Sequence, residues 1–174
     1  MPKISVLLPV FNAEDTLFRA AYSCLNQSFS DLELIIINDG STDKTSNTCD
    51  QLVSEDSRVK IIEFKSNKGV SKAIETARIS ANGELIARMD ADDFSYPERF
   101  MYQANLFESD PTMTACGTAV RLMGAPSADP SRGFLNYVDW VNSLNAPNTI
   151  ASQRFIDSPL TNPTSMVRAN DLEK

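Results

Sequence analysis

The sequence predicts an α/β fold with an open, mostly parallel central sheet covered by helices on both faces. Three observations point there. From Ile4 to about Val120, short apolar runs alternate with segments of helical period, joined by short links. That alternation is how a parallel sheet with crossover helices is written. The apolar runs are continuous rather than alternating, as in "LELIIIND", which suits strands buried on both faces. Finally, 174 residues with 42% hydrophobic and 22% charged content match one ordinary globular domain with a real core.

The elements follow in order. "ISVLLPV" (Ile4 to Val10) is a strand closed by Pro9. The next segment places Leu17, Ala20, Ala21, Cys24 and Leu25 at helical spacing, with Asn12 as expected N-cap and Glu14 and Asp15 in the first turn. "LELIIIND" (Leu32 to Asp39) is the second strand, and Ser41 or Thr42 is expected to cap a helix reaching Glu55. "VKIIEF" (Val59 to Phe64) and "GVSKAIETARISA" (Gly69 to Ala81) form a third strand and helix. "ELIARMD" (Glu84 to Asp90) is a fourth strand, and Pro97 opens a helix through Glu108. "TACGTAV" (Thr114 to Val120) is a fifth strand.

Beyond Met123 the pattern thins. Gly124 to Gly133 reads as a loop, with two prolines and two glycines. Tyr137 to Asn145 suits a short helix with Trp140 on its buried side, and Thr164 to Asn170 a further strand. We expect one domain over 1–174, continued in a longer protein. The abrupt stop at Lys174 points that way.

Composition excludes several chemistries. A net charge of −7 argues against nucleic-acid binding, which needs clustered Lys and Arg. The chain has no histidine, so Ser-His and Cys-His catalysis and His-ligated zinc are excluded within it. A general base must be a carboxylate, Lys, Tyr or Cys. Cys24, Cys49 and Cys116 are odd in number and set among apolar residues, as expected for reduced cysteines. No signal peptide and no apolar run near ~20 residues is present, so a cytoplasmic location is expected. The six glycines form neither G-x-G-x-x-G nor G-x-x-x-x-G-K-[ST], against dinucleotide and P-loop folds.

The informative feature is charge at strand ends. In open α/β sheets, ligands bind beyond the carboxyl ends of strands. Asn12 and Glu14 follow the first strand, Asp39 ends the second, and Asp90, Asp92 and Asp93 crowd the end of the fourth. Positions two apart share a side of an extended chain, so Asp90 and Asp92 face one way and Asp93 the other. Two carboxylates without soft donors suit Mg²⁺ or Mn²⁺, which would also offset the crowding. The alternative is a solvated acidic turn capping the helix after Pro97.

"SVLLPVFNAEDTL", "LELIIINDGSTDKT", "NKGVSKAI", "NGELIARMDADDFSYPERFMYQ" and "NPTSMVR" together resemble the successive motifs of family 2 glycosyltransferases, inverting nucleotide-sugar enzymes with the GT-A fold. This fold is a Rossmann-like α/β/α sandwich. The resemblance implies a nucleotide-binding half over 1–121 and the start of an acceptor-binding half over 122–174. It implies that Pro9, Val10, Asn12 and Glu14 line the nucleotide pocket and that Asp39 accepts a hydrogen bond from the base, typically uracil. It places Asn67, Lys68 and Gly69 near base and ribose. Asp90, Ala91 and Asp92 become the D-x-D, with Asp90 towards the ribose and Asp92 on the metal, Mn²⁺ or Mg²⁺, that bridges the diphosphate. Blander roles remain open: Asp39 as a turn or helix cap, and the Asn67–Gly69 stretch as a simple turn. Arg88 stands either as a phosphate partner or in an ion pair with an acid such as Glu84 or Asp90.

The resemblance further implies a donor that is a uridine diphosphate sugar, a saccharide or lipid-linked acceptor, and a role in cell-surface glycan or polysaccharide synthesis. Peripheral membrane association of a full-length protein at the inner face fits the same family. The family's base motif is not matched here: Asn162 stands where relatives often have histidine, and Asp157, Asp171 and Glu173 do not fit it. A donor-binding part that transfers poorly alone is therefore expected. The rival is a non-catalytic nucleotide-sugar-binding module. A nucleotidyltransferase would need a Gly-rich basic loop after the first strand, which "PVFNAEDTL" does not supply.

Overall fold

The structure, a computed structural model, describes residues 1–124 and 132–172. Its sheet has strands β1 (Ile4–Val10), β2 (Leu32–Asn38), β3 (Val59–Glu63), β4 (Leu85–Arg88), β5 (Ala115–Cys116) and β6 (Met166–Arg168). They lie in the order β3-β2-β1-β4-β6-β5. The first four strands run parallel, and β6 is antiparallel to both its neighbours. The helices are α1 (Leu17–Leu25), α2 (Thr45–Glu55), α3 (Val70–Ser80), α4 (Arg99–Ser109), α5 (Arg132–Ser143) and α6 (Pro147–Gln153).

Period two within the continuous apolar runs sorts side chains to two cores. Ile4, Val6 and Leu8 of β1 and Leu34 and Ile36 of β2 pack with α1, α2 and α4 through Leu17, Cys24, Leu52 and Phe100. Leu7, Ile35, Ile37 and Ile86 face the other way, onto Ala73 and Ala77 of α3. Handedness explains the division. The chain winds outward from β1 to β3 with α1 and α2 on one face, then returns through α3 to β4 on the far side of β1. A right-handed crossover running in the reverse direction must use the opposite face. The reversal falls between β1 and β4, which makes a crevice at their carboxyl ends.

Several local expectations are corrected. Helix α1 starts at Leu17, not after Asn12. Asn12 has φ 50°, and its Oδ1 accepts a hydrogen bond from the Thr42 N–H at 2.8 Å, so it is turned away from the helix. Glu14 accepts from the Lys44 N–H at 2.8 Å, outside the helical first turn. Helix α2 starts at Thr45 rather than after Ser41 or Thr42. Ser41 Oγ accepts from the Asn12 N–H at 3.0 Å, and Asp43 caps the Thr45 N–H at 3.0 Å. Both caps fail for one reason: the two loops bond to each other before either helix begins. Pro97 precedes α4 by two residues, and its carbonyl accepts from Ser28 N–H at 2.8 Å.

The fifth strand shrinks to two residues because the backbone beyond it bonds to side chains. Thr118 N–H donates to Thr164 Oγ1 at 3.3 Å, and Val120 N–H to Asn142 Oδ1 at 2.9 Å. The last strand is likewise shorter, Met166–Arg168, between 3-10 turns at Asn162–Thr164 and Ala169–Asp171. Helix α5 begins at Arg132, so Gly133 is helical; residues 125–131 of the expected loop lie outside the described residues. Its buried residue is Val141, while Trp140 is half-buried against Tyr137. Helix α6 was not expected. Cys24 and Cys49 are free and buried, and Cys116 is free and half-buried.

Candidate functional site

Two adjoining hollows open at the carboxyl ends of β1, β2 and β4. One, of about 350 Å³, is lined by Pro9, Phe11, Asn12, Arg88, Asp90, Ala91 and Asp92, among others. Its neighbour, of about 280 Å³, includes Pro9, Val10, Phe11, Asp39, Asn67 and Gly69. Pro9, Phe11 and Val70 belong to both, so Asp39 and Asp92 stand on one cleft rather than on separate flanks. Glu14 and Lys68 line neither hollow. The Glu14 carboxylate is spent on the Lys44 backbone, and Lys68 Nζ lies 4.5 Å from the centre of the Phe64 ring. Asp93 is also absent from the lining, as the period-two argument expects. Asp157 is exposed and away from both hollows.

Asp39 organises the second hollow. It is buried, and its two oxygens accept from the backbone N–H groups of Lys68 and Gly69 at 2.7 and 2.9 Å. The carboxylate therefore shapes the Asn67–Gly69 turn while lone pairs remain for a ligand donor. Gly40 follows with φ +70°, and a Cβ there would stand 2.5 Å from the backbone carbon of Ser66. Only glycine lets the chain leave β2 this close to that turn.

The acidic turn is braced from three sides. Arg19 Nη2 donates to the Asp92 carbonyl at 3.0 Å, Arg99 Nη2 to the Arg88 carbonyl at 2.9 Å, and Arg88 Nε to Asp90 Oδ1 at 3.2 Å. Between the two roles considered for Arg88, the ion pair with Asp90 is thus present, and Glu84 pairs instead with Lys3. Partial burial, with the Asp92 and Asp90 carboxylates beside it, pushes the Asp93 carboxyl above the usual range. Arg99 is a buried cation whose hydrogen bonds go to neutral acceptors: Gln103 Oε1, the Arg88 carbonyl and Met89 Sδ. Burial pulls its guanidinium down from the ordinary value.

Among the described residues no group of three or more His, Cys, Asp or Glu side chains is gathered as a metal site. The cleft instead offers two hard carboxylates, Asp90 and Asp92, on one hollow. That donor set fits Mg²⁺ or Mn²⁺, which typically take one or two carboxylates and complete their octahedron with phosphate and water. The cysteines supply no alternative chemistry. Burial pushes the Cys24 and Cys49 thiols up to about 12, so neither is a thiolate at neutral pH.

Sequence reasoning missed Phe11, Thr16 and Val70 as lining residues. Phe11 carries the clearest unused signal: a large apolar residue just past a strand end, 48% exposed where burial would be expected.

Residues 5–173 match glycosyl transferase family 2. An uncharacterized glycosyltransferase of Haemophilus influenzae is 31% identical over 174 residues, covering 97% of this chain and 52% of the relative. A chondroitin synthase of Pasteurella multocida is 34% identical over 134 residues, covering 77% of this chain and 14% of that protein. The chain spans about half the length, or less, of the curated relatives it matches. Among solved structures, Staphylococcus aureus TarS 1-349 in complex with UDP superposes with TM-score 0.68 at 19% identity, covering 98% of this chain and 48% of that one. Mannosyltransferase PcManGT from Pyrobaculum calidifontis, in complex with GDP-Man and Mn²⁺, gives TM-score 0.70 at 20% identity, covering 99% and 46%. At these identities the structural likeness speaks to the fold, which is the GT-A arrangement.

Proposed function

Since the chain belongs to glycosyl transferase family 2, we propose that its cleft binds a nucleoside diphosphate sugar, uridine diphosphate being the nucleotide, for transfer with inversion to an acceptor hydroxyl. The observation that carries this reading is the shared cleft. Asp39 lies at one end, the Asp90–Asp92 pair at the other, and Pro9, Phe11 and Val70 between them.

The residues divide the work by chemistry. Asp39 accepts the N–H of a uracil, its orientation set by the Lys68 and Gly69 N–H groups. The exposed face of Phe11 offers an apolar surface to base or ribose. Asp90 and Asp92 would hold a divalent cation, which supplies charge stabilisation for the departing diphosphate. Arg88, on the same hollow, adds a guanidinium for phosphate oxygens. Inversion requires in-line attack by the acceptor hydroxyl, whose proton passes to a carboxylate base; we assign that base to none of the cleft residues. The acceptor is a saccharide or lipid-linked hydroxyl of a growing cell-surface glycan, a reading supported by the chondroitin synthase among the relatives. Residues 1–121 form the donor half, and 122–174 begin the acceptor half.

Thermal melting tests the donor site. A ligand that binds only the native state stabilises by mass action, about 2.7 kcal/mol at a hundredfold excess over Kd. Uridine diphosphate should raise the Tm with Mn²⁺ or Mg²⁺ present and not with a chelator, and Asp92→Asn should remove the metal dependence. An unchanged shift in that variant would take Asp92 out of the site. A larger shift from guanosine diphosphate would overturn the choice of base.

A further inference from the structure

Arg88 combines a fixed backbone with an unsatisfied side chain. Its N–H donates to the Ser165 carbonyl at 2.9 Å, and its carbonyl accepts from Arg99 Nη2 at 2.9 Å. Those bonds lock the end of β4 against β6 and α4. The guanidinium, by contrast, makes a single hydrogen bond, from Nε to Asp90 Oδ1 at 3.2 Å. Among the described residues its two Nη groups have no partner. Both side chains of the pair are partly exposed, 25% for Arg88 and 33% for Asp90. An ion pair this long and this wet is weak and readily exchanged.

Position gives the pair its meaning. Among the described residues Arg88 is the one cationic side chain that lines either hollow, and it shares its hollow with Asp90 and Asp92. The same cation therefore faces two demands. With the cleft empty, it offsets carboxylate charge. With a diphosphate present, the outer edge of its fork matches phosphate oxygens better than a single Nε–carboxylate bond does.

We propose that Arg88 is an exchange latch coupling nucleotide binding to metal binding. In the empty cleft its guanidinium neutralises Asp90 and keeps affinity for a divalent cation low. A bound diphosphate draws the guanidinium onto phosphate and releases Asp90 to the cation. The two ligands then bind with positive coupling, and by linkage each strengthens the other by the same factor. This inference rests on the donor-site reading above; it makes the two roles open to Arg88, phosphate partner and ion-pair partner of an acid, two states of one side chain.

The test is Mn²⁺ binding to the 174-residue chain, followed by the electron spin resonance of free Mn²⁺, with and without uridine diphosphate. In the unmodified protein the nucleotide should tighten Mn²⁺ roughly fivefold or more, within the usual range of coupling. Arg88→Gln should bind Mn²⁺ alone several-fold more tightly, bind the nucleotide more weakly, and show several-fold less coupling, keeping what attraction between cation and diphosphate supplies. Arg88→Lys, which keeps the charge without the fork, should bind Mn²⁺ alone as the parent does yet show reduced coupling. A circular dichroism melt checks that each variant is folded, and the lysine variant carries the test if the glutamine one is not. Unchanged Mn²⁺ affinity in Arg88→Gln, or full coupling in Arg88→Lys, overturns the latch alone. Parent protein that binds Mn²⁺ but no nucleotide overturns the donor-site reading, and the latch with it.

Discussion

At the scale of single residues, polar groups decide whether this chain keeps its shape. Glu33 is buried and accepts from Ser5 Oγ at 2.6 Å, from the Asn82 N–H at 2.7 Å and from Lys60 Nζ at 2.6 Å. Burial pushes its carboxyl up, but Lys60, Ser5 and Asn82 together hold it below the usual range. A carboxylate depressed in the folded state contributes stability that is present above its unfolded value, about 4.3 for glutamate, and is lost as pH falls through the folded value. Glu33→Gln should therefore cost about 2 kcal/mol at neutral pH and flatten the acid limb of Tm against pH. Equal slopes for variant and parent would show that Glu33 is not the titrating group. Gly40→Ala is the backbone counterpart. With φ +70° and no room beside Ser66, it should lose at least about 2 kcal/mol and loosen the Asp39–Lys68 bond. Amide exchange at Lys68 and Gly69 would report that loosening, and unaltered exchange there would contradict it.

Between elements, side chains on helices set where the acidic turn lies. Gln27, just past α1, is buried; its amide donates to the Tyr96 carbonyl at 2.8 Å, and its oxygen accepts from the Phe100 N–H at 3.0 Å. Ser23 Oγ accepts from the Ser95 N–H at 3.0 Å. The segment from Asp92 to α4 is thus tied to α1 by hydrogen bonds that no hydrophobic period announces. Gln27→Leu keeps the volume but leaves buried backbone groups unpaired, so it should cost about 2–3 kcal/mol in chemical denaturation. A loss under about 0.5 kcal/mol, the surface norm, would show that the segment finds other partners. Arg99 plays a related part from α4, holding the Arg88 carbonyl while Gln103 reaches the Thr164 carbonyl at 2.9 Å. The parallel core and the turn at Asn162–Thr164 meet through that pair.

Over the whole molecule, burial is uneven, and stability should follow it. Every residue of β2 is buried and nearly every one of β1, whereas α5 has only Val141 buried and α6 none. Hydrogen exchange should be slowest in β1 and β2 and fastest across 132–156. Comparable protection in both regions would sink that ranking. Among the described residues no helix is long and apolar enough to cross a membrane. The sequence by itself determined the parallel α/β core, its strand and helix succession up to α4, and the acidic groups at strand ends. Those features are written in local periodicity, which hydrophobic burial enforces on each segment separately. It also carried the family motifs in order. Tertiary structure alone decided which loop oxygens cap helices and which stitch loops, so Asn12, Glu14 and Ser41 read wrongly. It decided that β6 enters between β4 and β5 in reverse, that Phe11 and Val70 join the cleft, and that Arg88 rests on Asp90. Apart from the Arg88–Asp90 pair, which is only two residues apart, these depend on pairing between residues far apart in the chain, and a polar atom's choice among partners leaves no periodic trace in its own neighbourhood.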